Sequence, residues 1–206
     1  MTKRKIIIII CVVIFLITGG IFSSSYPLKV MQIKSIGAAL KPSKVIEPFS
    51  VNYYLQNDPE WSGDKLGFSN SSMGSAGCLV ASITTALNYF GIDYDPGEVN
   101  KIFKENNVYN ENGQVIWMNI KDAIDGVDYK YDRIFNSKTI EDLLGQNLIP
   151  IIEVKYKGFG VNHWVAVIGT DGEDFLVMDS LNGNKMPLKL SEHGGRAFAY
   201  RVLVKT

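Results

Sequence analysis

Gly77-Cys78-Leu79-Val80-Ala81-Ser82-Ile83-Thr84-Thr85-Ala86-Leu87-Asn88-Tyr89-Phe90-Gly91 is the stretch on which the reading of this chain turns. Its apolar residues fall at 79, 80, 83, 86, 87 and 90, one face of a 3.6-residue helix, and the run stops at a glycine. Cys78 opens that helix. A thiol in the first turn feels the positive end of the helix dipole, which favours the thiolate, the nucleophilic form. The other cysteine, Cys11, lies in an apolar N-terminal run and cannot pair with Cys78. A free cysteine is most often a small buried hydrophobe. An unpaired one outside the cytoplasm, where structural cysteines usually pair, also signals reactivity.

Working outward, the first half of the chain reads as helices. Asp95-Pro96-Gly97-Glu98 is a capping box with proline at the first helical position, which predicts a helix over roughly 96–106. Ile116, Ile120 and Ile124 suggest a third helix over 115–125, and Thr139-Ile140-Glu141-Asp142 the cap of a short fourth. The second half reads as strands: 148–154, a hairpin of 163–170 and 175–179 around Asp171-Gly172-Glu173, and a closing strand over 197–204. Helices followed by antiparallel strands make an α+β domain.

The hairpin places two reactive residue types. With a three-residue loop, Thr170 faces Asp174 and Val165 faces Asp179. His163 and Asp179 then share a face as a diagonal pair, roughly 7–8 Å apart between backbones; a two-residue loop would separate them. A histidine can hold the proton of a thiol near neutral pH, and an aspartate beside it fixes the ring tautomer. Taken alone, a strand histidine reads as a structural residue and Asp179 as a turn cap. Of the two histidines, His193, in Glu192-His193-Gly194-Gly195, reads as an exposed loop residue with no special task. Acyl transfer also needs donors aimed at the developing oxyanion. The Cys78 N–H is one, and Gln56, otherwise a surface loop residue, is a candidate for the second.

The 206 residues carry no net formal charge. Lys3, Arg4 and Lys5 stand in a stretch, 1–25, without acids, so residues 26–206 are net −3 and bear no nucleic-acid footprint. Ile6 to Phe22 is uncharged and almost wholly apolar. Behind three bases it reads as a signal anchor or signal peptide over 1–25, with the anchor preferred. The bases stay in the cytoplasm, so the rest lies outside: a single-pass membrane protein, or a secreted one if cleavage follows Ser25. Residues 26–48, with Pro42 and Pro48, read as a linker or stalk, and 49–206 as the domain. The histidine and cysteine spacing offers no metal site, and no phosphate loop or dinucleotide fingerprint is present, so no cofactor is expected. Trp61, Trp117 and Trp164 read as core.

Gln56-x-Asp58-x-x-Trp61, Gly77-Cys78 opening a helix that ends Tyr89-Phe90-Gly91, His163-Trp164-Val165-Ala166-Val167-Ile168-Gly169 and Val177-Met178-Asp179 together resemble the C39-like cysteine peptidases, a branch of the papain-like fold. The resemblance spans roughly 51–181. It implies Cys78 as nucleophile, His163 as base, Asp179 as its orienting acid, Gln56 as oxyanion donor, and a peptide or protein substrate. Two positions depart from the pattern: Leu79-Val80 where the family often has a small residue and proline, and Asp179-Ser180 where it often has Asp-Pro. Neither removes a reacting group. Exporter-fused members of the family remove double-glycine leaders in the cytoplasm; with no exporter domains and an outward orientation, that substrate does not transfer. The same residues would also suit a non-catalytic peptide-binding module on a papain-like scaffold, or a cysteine acyltransferase.

Overall fold

Residues 36–206 are described by the computed structural model. In chain order its strands are β1 (Ala38–Ala39), β2 (Val45–Ile46), β3 (Val127–Lys130), β4 (Pro150–Lys155), β5 (Asn162–Asp171), β6 (Phe175–Met178), β7 (Leu188–Lys189), β8 (Arg196–Ala197) and β9 (Ala199–Lys205). The α-helices are α1 (Met73–Ala76), α2 (Cys78–Tyr89), α3 (Pro96–Glu105), α4 (Ile120–Ala123) and α5 (Ser137–Gly145), with 3-10 turns at Trp117–Asn119, Tyr156–Gly158 and Leu190–His193. An antiparallel sheet of order β3-β9-β4-β5-β6-β7, with β2 added to β5, forms the middle of this α+β domain.

Both sheet faces are covered, as the strand alternation requires. Ile151, Ala166 and Ile168 pack with Ile83, Leu87 and Phe103 of α2 and α3. Ile152, Val165 and Val167, one residue out of phase, pack with Ile140 and Leu144 of α5 and with Leu40 and Leu190. The described α-helices all precede β4, as the sequence suggested, but the strands are not confined to the C-terminal part that follows them: β1, β2 and β3 also come before β4. The capping box at Asp95 forms as read, Glu98 N–H donating to Asp95 Oδ1 at 2.8 Å and Asp95 N–H to Glu98 Oε2 at 2.9 Å. The expected third helix is a 3-10 turn and one short α-helix. The cap of α5 is Asn136, not Thr139, which serves as the third helical residue.

The hairpin reaches its expected register by a different route. Its turn pairs Thr170 with Phe175, one residue off the sequence-based register. A bulge between Val167 and Gly169 absorbs the extra residue, and Ala166 then pairs with Met178. Continued one step, that register sets Val165 opposite Asp179. Without the bulge, His163 and Asp179 would point to opposite faces.

Residues 36–48, read from the sequence as part of a stalk, form a strap on the domain. β1 pairs with β8, β2 with β5, and Leu40 is buried in the second core. Ser43 N–H and its hydroxyl both donate to the buried Glu141 carboxylate, the hydroxyl at 2.9 and 3.0 Å. Two prolines do not prevent this, because the strap needs only two-residue strands. The strap lies so close that a Cβ at Gly169 would stand 2.7 Å from the Pro48 Cα. The expected membrane segment at 6–22 lies outside the described residues, and among those described no helix is long and apolar enough to cross a membrane.

Candidate active site

Cys78 is the first residue of α2 and the only free cysteine among the described residues. At that position its N–H has no partner within the helix. Gly77, which caps α2, has no room for a side chain: a Cβ would lie 2.4 Å from the Met73 carbonyl oxygen. The short helix α1 thus runs straight into α2 and presses its first turn into place. One turn further on, buried Ser82 donates to the Trp164 carbonyl at 3.3 Å, tying α2 to the residue after His163.

His163 and Asp179 are both buried, and His163 Nε2 lies 2.6 Å from Asp179 Oδ1. The Leu181 N–H donates to the same oxygen at 2.8 Å. With Nε2 engaged, Nδ1 is left for the thiol, and Cys78 interacts with the ring by hydrogen bonding and by charge. Burial works against a charged His163, but the hydrogen bonds to Asp179 and Cys78 outweigh it and lift the ring to about 9. Burial likewise opposes charge on Asp179; the His163 hydrogen bond, reinforced by His193 and the Leu181 N–H, holds it well below the usual carboxylate range.

Gln56 is buried, not a surface residue. Its segment is shaped by its neighbours. The Asp58 carbonyl accepts from the N–H groups of Trp61 and Ser62 at 3.2 and 2.8 Å, closing a turn. Trp61 is in the core, and its indole N–H donates to the Leu55 carbonyl at 2.8 Å, which pins the residue before Gln56. The spacing Gln56-x-Asp58-x-x-Trp61 is thus a turn with an anchor. Gln56 Nε2 donates to the Gly74 carbonyl at 3.0 Å, and Ser180 Oγ donates to Gln56 Oε1 at 3.0 Å.

Cys78, His163 and Gln56 line one cleft of about 680 Å³. Trp117, Trp164, Tyr109 and Tyr156 contribute aromatic wall, and Asn110, Asn112, Gln114 and Asn162 side-chain amides. Trp61 is core as expected, but Trp117 and Trp164 are only partly buried and face the cleft. All four residues singled out from the sequence therefore belong to one constellation, three on the cleft and Asp179 behind His163.

The sequence reading missed His193. It is 3% exposed, and its Nε2 lies 3.2 Å from Asp179 Oδ2. The contact is electrostatic, since Nε2 has no hydrogen-bond partner among the described residues. Nδ1 accepts from the Lys157 N–H at 3.2 Å, which assigns the proton of the neutral ring to Nε2. Tyr156 packs edge-on against His163 at 5.4 Å between centroids and also against His193 at 5.8 Å. One signal could have found it: in a 3-10 turn residues three apart eclipse, and His193 follows the apolar Leu190 by three.

Comparisons with known proteins bear on the fold and the family. No curated protein matches the chain. Among solved structures, a crystal structure from Bacillus anthracis provisionally named a C39-like peptidase superposes over 77% of this chain and 99% of that one, with a TM-score of 0.50 and 14% identity. At that identity the likeness speaks to the fold alone. The model of the Peptidase_C39 like family matches residues 49–199, which carry every residue of the cleft, and the chain belongs to that family.

Proposed function

We propose that this protein is an extracytoplasmic, membrane-tethered cysteine peptidase with a papain-like fold, with Cys78 as nucleophile, His163 as base, Asp179 as its orienting acid and Gln56 as oxyanion donor. The observation that carries the reading is the 2.6 Å His163–Asp179 pair held against Cys78 in a cleft that Gln56 also lines. In the first step Cys78 Sγ attacks the amide carbon, and the carbonyl electrons move onto oxygen. The Cys78 N–H and the second Gln56 amide hydrogen offer that oxyanion its donors. Collapse breaks the C–N bond as His163 gives its proton to the departing amine. Water then attacks the thioester, His163 takes a proton from it, and the acid and thiolate are released.

A peptide-library digest with the full chain tests this, with Cys78→Ala as control. Cleavage that vanishes in the variant is expected. Cleavage that persists in Cys78→Ala, or no cleavage by unmodified protein whose Cys78 is stoichiometrically alkylated by iodoacetamide in a parallel sample, would remove the peptidase reading. The tether rests on Lys3-Arg4-Lys5 ahead of the apolar residues 6–22. Protease added to intact cells or protoplasts should degrade the domain. Survival until the membrane is permeabilised would reverse the orientation.

A further inference from the structure

We propose that Ser180 is a positioning residue for oxyanion stabilisation: its hydroxyl fixes the Gln56 carboxamide so that one amide hydrogen is left facing the cleft. The proposal rests on the reading of Gln56 as the oxyanion donor.

The assignment of the carboxamide follows from its partners. The Gly74 carbonyl can only accept, so the atom 3.0 Å from it is Nε2. The other atom is then Oε1, which can only accept, so Ser180 Oγ at 3.0 Å donates to it. With Oε1 and one N–H held, the planar amide leaves its second N–H a single direction. Ser180 is fully buried and Gln56 is 3% exposed, so water does not compete for the bond. The main chain repeats the connection, Gln56 N–H donating to the Ser180 carbonyl at 3.1 Å. Residue 180 thus holds residue 56 twice. It directly follows Asp179, which orients His163, so one dipeptide beyond the end of β6 sets both the base and the oxyanion donor. Without the hydroxyl, Oε1 is a buried acceptor with no partner, and only the Gly74 carbonyl opposes rotation of the amide.

The test separates oxyanion chemistry from thiol reactivity with two small probes on the full chain. Acylation of Cys78 by p-nitrophenyl acetate passes through an oxyanion. Alkylation by iodoacetamide does not. Ser180→Ala should slow acylation roughly tenfold, a fraction of the roughly 100–1,000-fold expected for Gln56→Ala, and leave alkylation unchanged. In a Gln56→Ala background, Ser180→Ala should add nothing. The pair Ser180→Thr and Ser180→Val has equal volume with and without the hydroxyl; the threonine variant should acylate faster than the valine variant by a similar factor. If Gln56→Ala slows acylation and neither Ser180→Ala nor the Thr/Val pair differs in it, the positioning role is overturned while the reading of Gln56 stands. If Gln56→Ala itself leaves acylation unchanged, the oxyanion reading fails and this proposal with it. Equal loss of acylation and alkylation in Ser180→Ala would make Ser180 a purely structural residue.

Discussion

Asp179 and His163 stabilise each other's charge in a place where burial alone would discharge both. The sign of the pH dependence follows. His163 is raised from its ordinary 6.5 to about 9, so its share of the pair's stabilisation is complete below 6.5 and is lost as pH rises through 9. Asp179 is depressed, so its share is present above the ordinary carboxylate range and lost on acidification. Asp179→Asn removes the carboxylate charge that lifts His163. An NMR titration of the His163 ring should therefore show a lower midpoint in the variant than in wild type; an unchanged midpoint would mean the pair is not charged. Cys78→Ala and His163→Ala should each abolish most turnover, and the double variant should cost little more than either, because members of one catalytic unit are strongly non-additive. At this scale the candidate residues that the structure brings together were legible, since few residue types suit such chemistry and the domain has one candidate thiol and two imidazoles. His193 was not: a glycine pair after a histidine reads as an exposed turn, and only the packing of the 190–193 turn under Asp179 buries it.

Elements translate those residues into a geometry, and the sequence signalled them unevenly. α2 and α3 were readable because their ends carry local chemistry: a glycine after α2, and at α3 a capping box. The bulge in β5 was not, because it depends on how the hairpin turn closes, and only the product of turn and bulge aligns His163 with Asp179. The start of α2 is the other placement that matters. A Cβ at Gly77 would collide with the backbone of Met73, so α1 and α2 must separate for Gly77→Ala to be accommodated. We expect a loss of about 1–3 kcal/mol, the usual cost of overpacking, together with slower alkylation of Cys78 by iodoacetamide as its helix moves from His163. Gly145→Ala, in α5 with open space around the added carbon, is the control and should raise the urea midpoint slightly. Matching midpoints for Gly77→Ala and wild type would show that the α1–α2 junction is loose.

At the scale of the whole molecule, the antiparallel sheet and α+β class followed from the sequence, while the covering of its second face did not. That face is closed by short pieces: α5, the 190–193 turn and the strap of residues 36–48. Two-residue strands leave no periodicity to read, which is why the strap looked like stalk. Its energetics place it inside the folding unit. Removing it uncovers the site of Leu40, whose burial contributes about 1.5–3 kcal/mol. It also costs the Glu141 carboxylate its hydrogen bonds from Ser43, about 1.5–3 kcal/mol for bonds to a charged group, and leaves that carboxylate to water. Thr170 Oγ1 loses the Lys44 carbonyl at 3.0 Å, and Arg196 its bonds to the Ile36 and Gly37 carbonyls, each at 3.0 Å. A protein cut to residues 49–206 therefore keeps the whole cleft but should unfold at clearly lower urea than one cut to 36–206. Glu141→Gln, which still accepts from Ser43, should fall between them in the longer protein and change nothing in the shorter one. Equal urea midpoints for the two truncations would return residues 36–48 to the stalk.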